Sequence, residues 1–399
     1  MPERIPVSRL NSTLAILWDI TYRCNLSCKH CFVTAARKAG QHSTLSEHET
    51  GVLLASLCSG REIVREFNIQ GGEPLCAPNL CFAIRWLGKN GIPWSINTNG
   101  VLWGQEHFKT VLNYPPVGIT ISLDGHTQDS HDWLRGSGAF RALMRTVKAL
   151  RSLKPAKKPI QIDAISVLHK RNVDSVKNIL DHAADIGIRE IVLNNLSICG
   201  SAERNRSSLE LEPEKLFPVL DFVCRNRGKY RGMSVYIPWA TPRMIAYYNS
   251  KYRIRIPILN AGCQAIRSEV TVSPQGHLRP CPNALDRLHV AFGGDVFPDD
   301  GTDTKLGERI LAEVRSSAMF ARVYECLHGE LRRPRLARCR RCKFIDRCGT
   351  CPSQRFTHEY PTEKLCFSFQ DIIEKSERSG PNKRLKMDRQ IRFASLPTT

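Results

Sequence analysis

The sequence predicts an α/β fold, a partial (β/α)6 TIM-like barrel followed by a small cysteine-rich C-terminal domain. Three observations predict it. Over the first half of the chain, six short runs rich in apolar, β-branched and aromatic residues alternate with helix-periodic segments, the pattern of parallel βα units. The first four runs each end in a turn of small or polar residues: TYRC, GGEP, NTNG and SLDG. After about residue 255 the long apolar periods stop, and Cys, Arg and Pro take over. A domain with so little core usually needs metal to hold it.

The first strand is read from LAILWDIT, residues 14–21, which runs straight into TYRC. SEHETGVLLASLC then reads as a helix opened by a capping box of Ser46 and Glu49. EFNIQGG (66–72), PWSINTNG (93–100), VGITISLDG (117–125), QIDAISV (161–167) and EIVLNNLS (190–197) supply strands two to six. Between them FRALMRTVKALRSL and VDSVKNILDHAADIG carry apolar residues at helical spacing. The expected organisation is an N-terminal extension at 1–13, a barrel at 14–230, a linker and cysteine-rich domain at 231–375, and a basic, disordered tail at 376–399. Ligands of a parallel barrel meet the C-terminal ends of its strands. The four turns therefore rim the expected site, and their glycines let backbone approach a ligand closely.

Lys and Arg number 58 against 38 Asp and Glu, a formal charge of +20. Such a surface suits nucleic acid, an acidic protein or an anionic substrate. No aromatic-interleaved basic motif of a nucleic-acid module is present, which disfavours nucleic acid. No long stretch is free of charge, so no membrane span is expected. The apolar run LAILW is too short for a secretory signal. A cytoplasmic protein is expected, and there 16 cysteines read as metal or redox chemistry rather than disulfides.

Three of them, Cys24, Cys28 and Cys31, fall in TYRCNLSCKHCF directly after the first strand. No fourth Cys or suitable His completes the group locally. Zinc would need one distant ligand; an iron–sulfur cluster held by three thiolates would leave one iron open. The C-x3-C-x2-C spacing at this place resembles the radical S-adenosylmethionine (SAM) superfamily. The resemblance implies a [4Fe-4S] cluster on Cys24, Cys28 and Cys31 whose fourth iron binds the amino and carboxylate groups of SAM. It implies an enzyme that reductively cleaves SAM to methionine and a 5'-deoxyadenosyl radical, which abstracts hydrogen from an unactivated carbon. His30 stands where that family often has an aromatic residue near the adenine.

The same resemblance assigns the turns. Gly71 and Gly72 of GGEP would offer backbone to the methionyl amine, and Glu73 would pair with its ammonium. Ser122 of SLDG and Arg135 of the following RG would hold the SAM carboxylate, which a guanidinium grips well. Asn97 and Asn99 of NTNG contact the ribose or order the turn. Asn194, Asn195 and Leu196 would line the adenine pocket.

The C-terminal cysteines run Cys263, Cys281, Cys339, Cys342, Cys348, Cys351 and Cys366. Two C-x2-C pairs alone also fit a zinc ribbon. In this order they resemble the SPASM domain, an iron–sulfur domain that binds one or two auxiliary clusters. One spacing departs from that family: CGTC places two residues before Cys351, where three are usual. The resemblance implies that Cys339, Cys342, Cys348 and Cys366 hold the distal cluster. Cys263, Cys281 and Cys351 would hold the nearer one, with Cys326, a substrate atom or an open site as its fourth ligand. Auxiliary clusters accept an electron from a substrate radical. Among the remaining cysteines, Cys58 and Cys224 fall in helical patterns as core, while Cys76, Cys199 and Cys326 are candidate thiol hydrogen donors.

Members with this double architecture modify ribosomal peptides, sulfatase side chains, sugars or aminocyclitols. Only 23 residues precede the first cysteine, so a separate leader-binding protein is expected for a peptide substrate. The expectation is oxidative modification of a ribosomal peptide by crosslink, dehydrogenation or epimerisation, with flavodoxin or ferredoxin as electron donor. The alternatives are a dehydrogenase or epimerase of a small sugar or aminocyclitol, and a non-catalytic, zinc-bound basic scaffold.

Overall fold

The structure, a computed structural model, describes residues 13–34, 44–58, 64–155, 159–256, 268–276, 278–279, 369–371 and 373. Among these residues the centre is a nine-stranded open sheet: β1 (Leu14–Thr21), β2 (Val64–Gly71), β3 (Trp94–Thr98), β4 (Gly118–Ser122), β5 (Ile162–Leu168), β6 (Glu190–Asn195), β7 (Ser234–Tyr236), β8 (Glu269–Val272) and β9 (Leu278–Arg279). The spatial order is β7-β6-β5-β4-β3-β2-β1-β8-β9. Every neighbouring pair is parallel except β8 with β9. The crossovers carry helices α1 (Glu47–Cys58), α2 (Leu80–Lys89), α3 (Gln105–Asn113), α4 (Gln128–Arg135), α5 (Ala139–Ser152) and α6 (Val176–Asp185). The short α7 (Ser201–Arg204) and α8 (Arg206–Leu209), then α9 (Leu216–Arg225) and α10 (Pro242–Tyr252), follow β6.

All six expected runs are strands, and LAILWDIT is β1 to the residue. The capping box at α1 forms as read: Glu49 N–H donates to Ser46 Oγ at 3.2 Å, and Ser46 N–H donates to Glu49 Oε2 at 2.7 Å.

Strand alternation sorts the two faces. Leu14, Ile16, Trp18 and Ile20 of β1, Phe67 and Ile69 of β2, and Trp94 and Ile96 of β3 share one core with Leu53, Leu54 and Leu57 of α1 and Ala83, Ile84 and Leu87 of α2. Each of these large side chains, fully removed from water, stabilises the fold by about 1.5–3 kcal/mol before its entropy cost. The inner face is polar instead. Asn68 Nδ2 donates to Ser95 Oγ at 2.8 Å, and Asn97 Nδ2 to Asn68 Oδ1 at 3.1 Å and Gln70 Oε1 at 3.3 Å. Gln70 Nε2 continues to Asp19 Oδ1 at 3.2 Å. Parallel sheets are commonly apolar on both faces, so this ladder marks a face built for something other than packing.

The sheet extends past the six expected units at both edges. β7 pairs with β6, and β8 covers the open side of β1, where Ala15–Trp18 meets Glu269–Val272. An uncovered β1 would present unpaired backbone groups. Phe369 is buried to 2% exposure and lies 5.1 Å from Phe217 and 5.5 Å from Tyr247, ring to ring. Packing onto the barrel therefore continues beyond the expected boundary at residue 230. Cys58 and Cys224 are buried in the core as expected. Among the described residues, no helix is long and apolar enough to cross a membrane.

Candidate active site at the C-terminal strand ends

β1 delivers the chain at Thr21 into the three-cysteine loop. Cys28 is buried, while Cys24 and Cys31 are half-buried. Neighbouring helical segments hold the loop. Lys29 N–H donates to Leu134 O at 2.9 Å, Lys29 Nζ donates to Trp133 O at 2.5 Å, and the ammonium also lies 4.7 Å from the Trp133 ring centre. Ser201 N–H and Thr34 Oγ1 donate to Cys31 O at 2.9 and 2.8 Å, and Asn205 Nδ2 donates to Lys29 O at 3.1 Å. The loop's shape is thus fixed by α4 and by the segment after β6.

Donors also face the sulfurs. Leu26 N–H lies 3.4 Å and Asn99 Nδ2 3.8 Å from Cys24 Sγ, and Arg135 Nη1 lies 4.0 Å from Cys28 Sγ. Burial pushes the Cys28 thiol up to about 11 against the pull of Arg135, with Cys31 and Cys24 adding to the rise. A free Cys28 therefore stays protonated near neutrality, whereas a bound metal takes the proton from a coordinating thiol. Among the described residues no three His, Cys, Asp or Glu side chains converge where one metal ion could sit. Thiolates that each bind a different iron of a cluster do not need to converge, and their soft sulfur suits iron.

The end of β2 packs against the root of this loop. Gly71 has φ +126°, and a Cβ there would collide with Thr21 O; one on Gly72 would collide with the carbonyls of Tyr22 and Arg23. Only glycine permits this approach, which lets Gly72 N–H donate to Thr21 O at 2.7 Å and Glu73 N–H to Arg23 O at 2.8 Å. The Glu73 side chain is buried. Its Oε1 accepts from Thr98 Oγ1 at 2.7 Å and Leu75 N–H at 3.3 Å, and its Oε2 accepts from Asn99 N–H at 2.7 Å. Burial nevertheless outweighs these bonds and pushes the carboxyl up to about 7. A carboxylate so placed fits a cationic ligand group. Asn99 also donates through Nδ2 to Asn25 Oδ1 at 2.9 Å, tying β3 to the loop.

Sequence reasoning named Arg135 and missed its partner. Asp124, in the middle of SLDG, is fully buried and accepts from Arg135 Nε at 2.5 Å and from Val167 N–H at 2.7 Å. Burial works against its charge, but Arg135 and nearby polar groups prevail and hold it at about 2. His131 and His169 lie close by, each lowered to about 4 chiefly by burial. His30 lies beside the same pair, with its Nδ1 buried and unpartnered among the described residues; burial and Arg135 lower it to about 3. An Asp at a strand end followed by a helix ending in Arg was the available signal.

The structure thus brings together Cys24, Cys28, Cys31, His30, Gly71, Gly72, Glu73, Asn99 and Arg135. Cys76 joins them: it ends the turn after Glu73, and burial, with the Glu73 carboxylate and Cys24 nearby, pushes its thiol pKa up. Cys199 lies in the segment whose next residues clasp Cys31. Ser122, Asn194 and Asn195 are half-buried at the ends of β4 and β6. Asn97 belongs to the inner-face ladder, and Leu196 packs against the Leu134, Ala202 and Leu209 cluster. Cys263, Cys281, Cys326, Cys339, Cys342, Cys348, Cys351 and Cys366 lie outside the described residues.

Residues 18–183 match the Radical SAM superfamily. The mycofactocin maturase MftC of Mycobacterium tuberculosis is 24% identical over 89% of this chain and 82% of its own length. The PqqA peptide cyclase of Rhizobium meliloti is 25% identical over 68% of each chain. Streptococcus suis SuiB bound to S-adenosylmethionine shares the fold at a TM-score of 0.63 and 14% identity, over 88% of this chain and 75% of that one. Native anSMEcpe with bound AdoMet does so at 0.62 and 16%, over 92% and 97%.

Proposed function

We propose, on the premise that residues 18–183 of this enzyme form a Radical SAM superfamily domain, that it oxidatively modifies a ribosomally made peptide. The observation that carries the reading is the meeting of the three-cysteine loop, the Gly71–Gly72–Glu73 turn and Arg135 at one mouth of an open parallel barrel. Cys24, Cys28 and Cys31 would hold a [4Fe-4S] cluster. With SAM bound, that cluster supplies one-electron cleavage of a carbon–sulfur bond and so a hydrogen-abstracting carbon radical.

The chain's own residues do the rest. Glu73 receives the methionyl ammonium, while Gly71 and Gly72 allow the backbone to approach it. Arg135, held by Asp124, places positive charge beside Cys28 and offsets the charge of the thiolates; with Ser122 it faces the carboxylate of SAM. Asn99 fixes the loop to the end of β3, and His30, Asn194, Asn195 and Leu196 shape the nucleoside side. Asn97 belongs to the inner face on which substrate lies. Where the outcome is epimerisation rather than oxidation, Cys76, Cys199 and Cys326 are the candidate thiols that would return a hydrogen atom to the substrate radical.

The peptide reading is supported by relatives named as a maturase and a peptide cyclase, and by a neighbour of the same fold, SuiB, bound to precursor peptide SuiA. In the proposed scheme seven C-terminal cysteines form a SPASM domain. Cys339, Cys342, Cys348 and Cys366 hold one auxiliary cluster, and Cys263, Cys281 and Cys351 hold another. An acidic flavodoxin or ferredoxin delivers electrons to the basic surface.

The test is anaerobic reconstitution followed by reduction with SAM and candidate precursor peptides encoded beside the gene. The expected result is a brown protein that releases 5'-deoxyadenosine and shifts the peptide's mass. A mass change in a sugar or aminocyclitol instead would move the substrate class. A colourless zinc protein that retards DNA would reverse the reading.

A further inference from the structure

On the inner face beside β1, three polar atoms are buried without a partner among the described residues: Thr271 Oγ1 and the Nε and Nη1 of Arg279. They belong to one place. Thr271 stands directly opposite Arg279 in the β8–β9 pair, so both side chains leave the same face. Thr271 is also the register partner of Leu17, two residues before Asp19 on that face. Arg279 is 2% exposed; its Nη2 donates to Asp19 Oδ2, and its guanidinium lies 5.7 Å from the Tyr22 ring centre, where the chain enters the cysteine loop.

Asp19 is already well supplied. Besides Arg279 it accepts from Gln70 Nε2 at 3.2 Å and from Tyr22 OH at 3.5 Å. What remains in surplus is donors: two guanidinium nitrogens, and a hydroxyl able to turn toward an acceptor. Buried donors left unmade are costly, and charged ones most of all. The group that satisfies all three is an acceptor-only anion, and Arg is the side chain best suited to a carboxylate.

We propose that Thr271 and Arg279 form a subsite that takes a carboxylate of the substrate and anchors it on the inner face, next to the chain that leads into the three-cysteine loop. The proposal rests on the reading that a peptide enters this barrel, and it narrows that substrate to one bearing an acidic group near the reacting residue. A carboxylate on a peptide has two sources, an acidic side chain or the chain terminus.

The experiment titrates the full-length, reconstituted, SAM-loaded protein with three peptides by ligand-observed NMR. These are acetyl-Ala-Asp-Ala-amide, acetyl-Ala-Ala-Ala with a free terminal carboxylate, and the neutral acetyl-Ala-Asn-Ala-amide. At least one carboxylate peptide is expected to bind about 5-fold or more tighter than the neutral one; which one does so identifies the source. T271V, which leaves the Asp19–Arg279 pair intact, should narrow the preference. R279K, which keeps a cation for Asp19 but loses the free donors, should remove most of it. Equal binding of all three peptides, or no binding, overturns the proposal; so does a preference that survives unchanged in both variants. Release of 5'-deoxyadenosine by the unaltered protein is measured in parallel. Its absence would sink the radical SAM reading while leaving the peptide preference to be judged by itself.

Discussion

At Glu73, burial and hydrogen bonding pull in opposite directions, and the result is testable. With its carboxyl near 7 rather than the ordinary 4.5, the residue is largely neutral at pH 6 and largely ionised at pH 7.5. If Glu73 receives the ammonium of SAM as proposed, only its ionised form pairs with it, so SAM affinity should rise with pH by about 5- to 10-fold across that interval. Calorimetric titration at the two values checks this, and E73Q should flatten the profile. The stability linkage has the opposite sense: the unfolded chain ionises Glu73 above about 4.5, while the folded chain keeps it neutral to about 7. Its contribution to apo-protein stability is therefore full below 4.5 and is lost as pH rises through 7. Asp124 gives a second prediction. D124A leaves Arg135 as a buried, unpaired cation and should destabilise the fold by about 3–5 kcal/mol, measured by urea unfolding.

Among the elements, β1 to β6 were legible because each buried strand is a short β-branched or aromatic run between turn residues. LAILWDIT shows the limit of that signal as well as its strength. Its alternation identifies the core face, but nothing in it says which strand covers its other edge. β8 does so from more than 240 residues away in sequence, through only four residues, EVTV, too short a run to stand out. The candidate site was legible to the same degree. Cys24, Cys28, Cys31, Gly71, Gly72 and Glu73 sit in local motifs, whereas the partners Asp124 with Arg135 and Asp19 with Arg279 exist only once distant strands meet. A chain ending at residue 256 would lose β8, β9 and the Phe369 ring. The exposed β1 edge should then aggregate, eluting in the void volume on size exclusion where the full chain does not.

For the molecule as a whole, the formal charge of +20 bears on how electrons arrive. If an acidic carrier docks by charge, its reduction of the enzyme should slow several-fold between about 50 and 300 mM salt, as screening shortens the reach of the attraction. Stopped-flow traces at the two salt levels measure it. The central claim, however, is that Cys24, Cys28 and Cys31 hold a cluster with one iron free for SAM. The most direct measurement is the electron paramagnetic resonance spectrum of the reduced protein before and after SAM is added. The account predicts that the signal lost in a C24A/C28A/C31A variant is the one SAM shifts in the unaltered protein. A spectrum that SAM leaves unchanged, or a shift that persists without these three thiols, would contradict it.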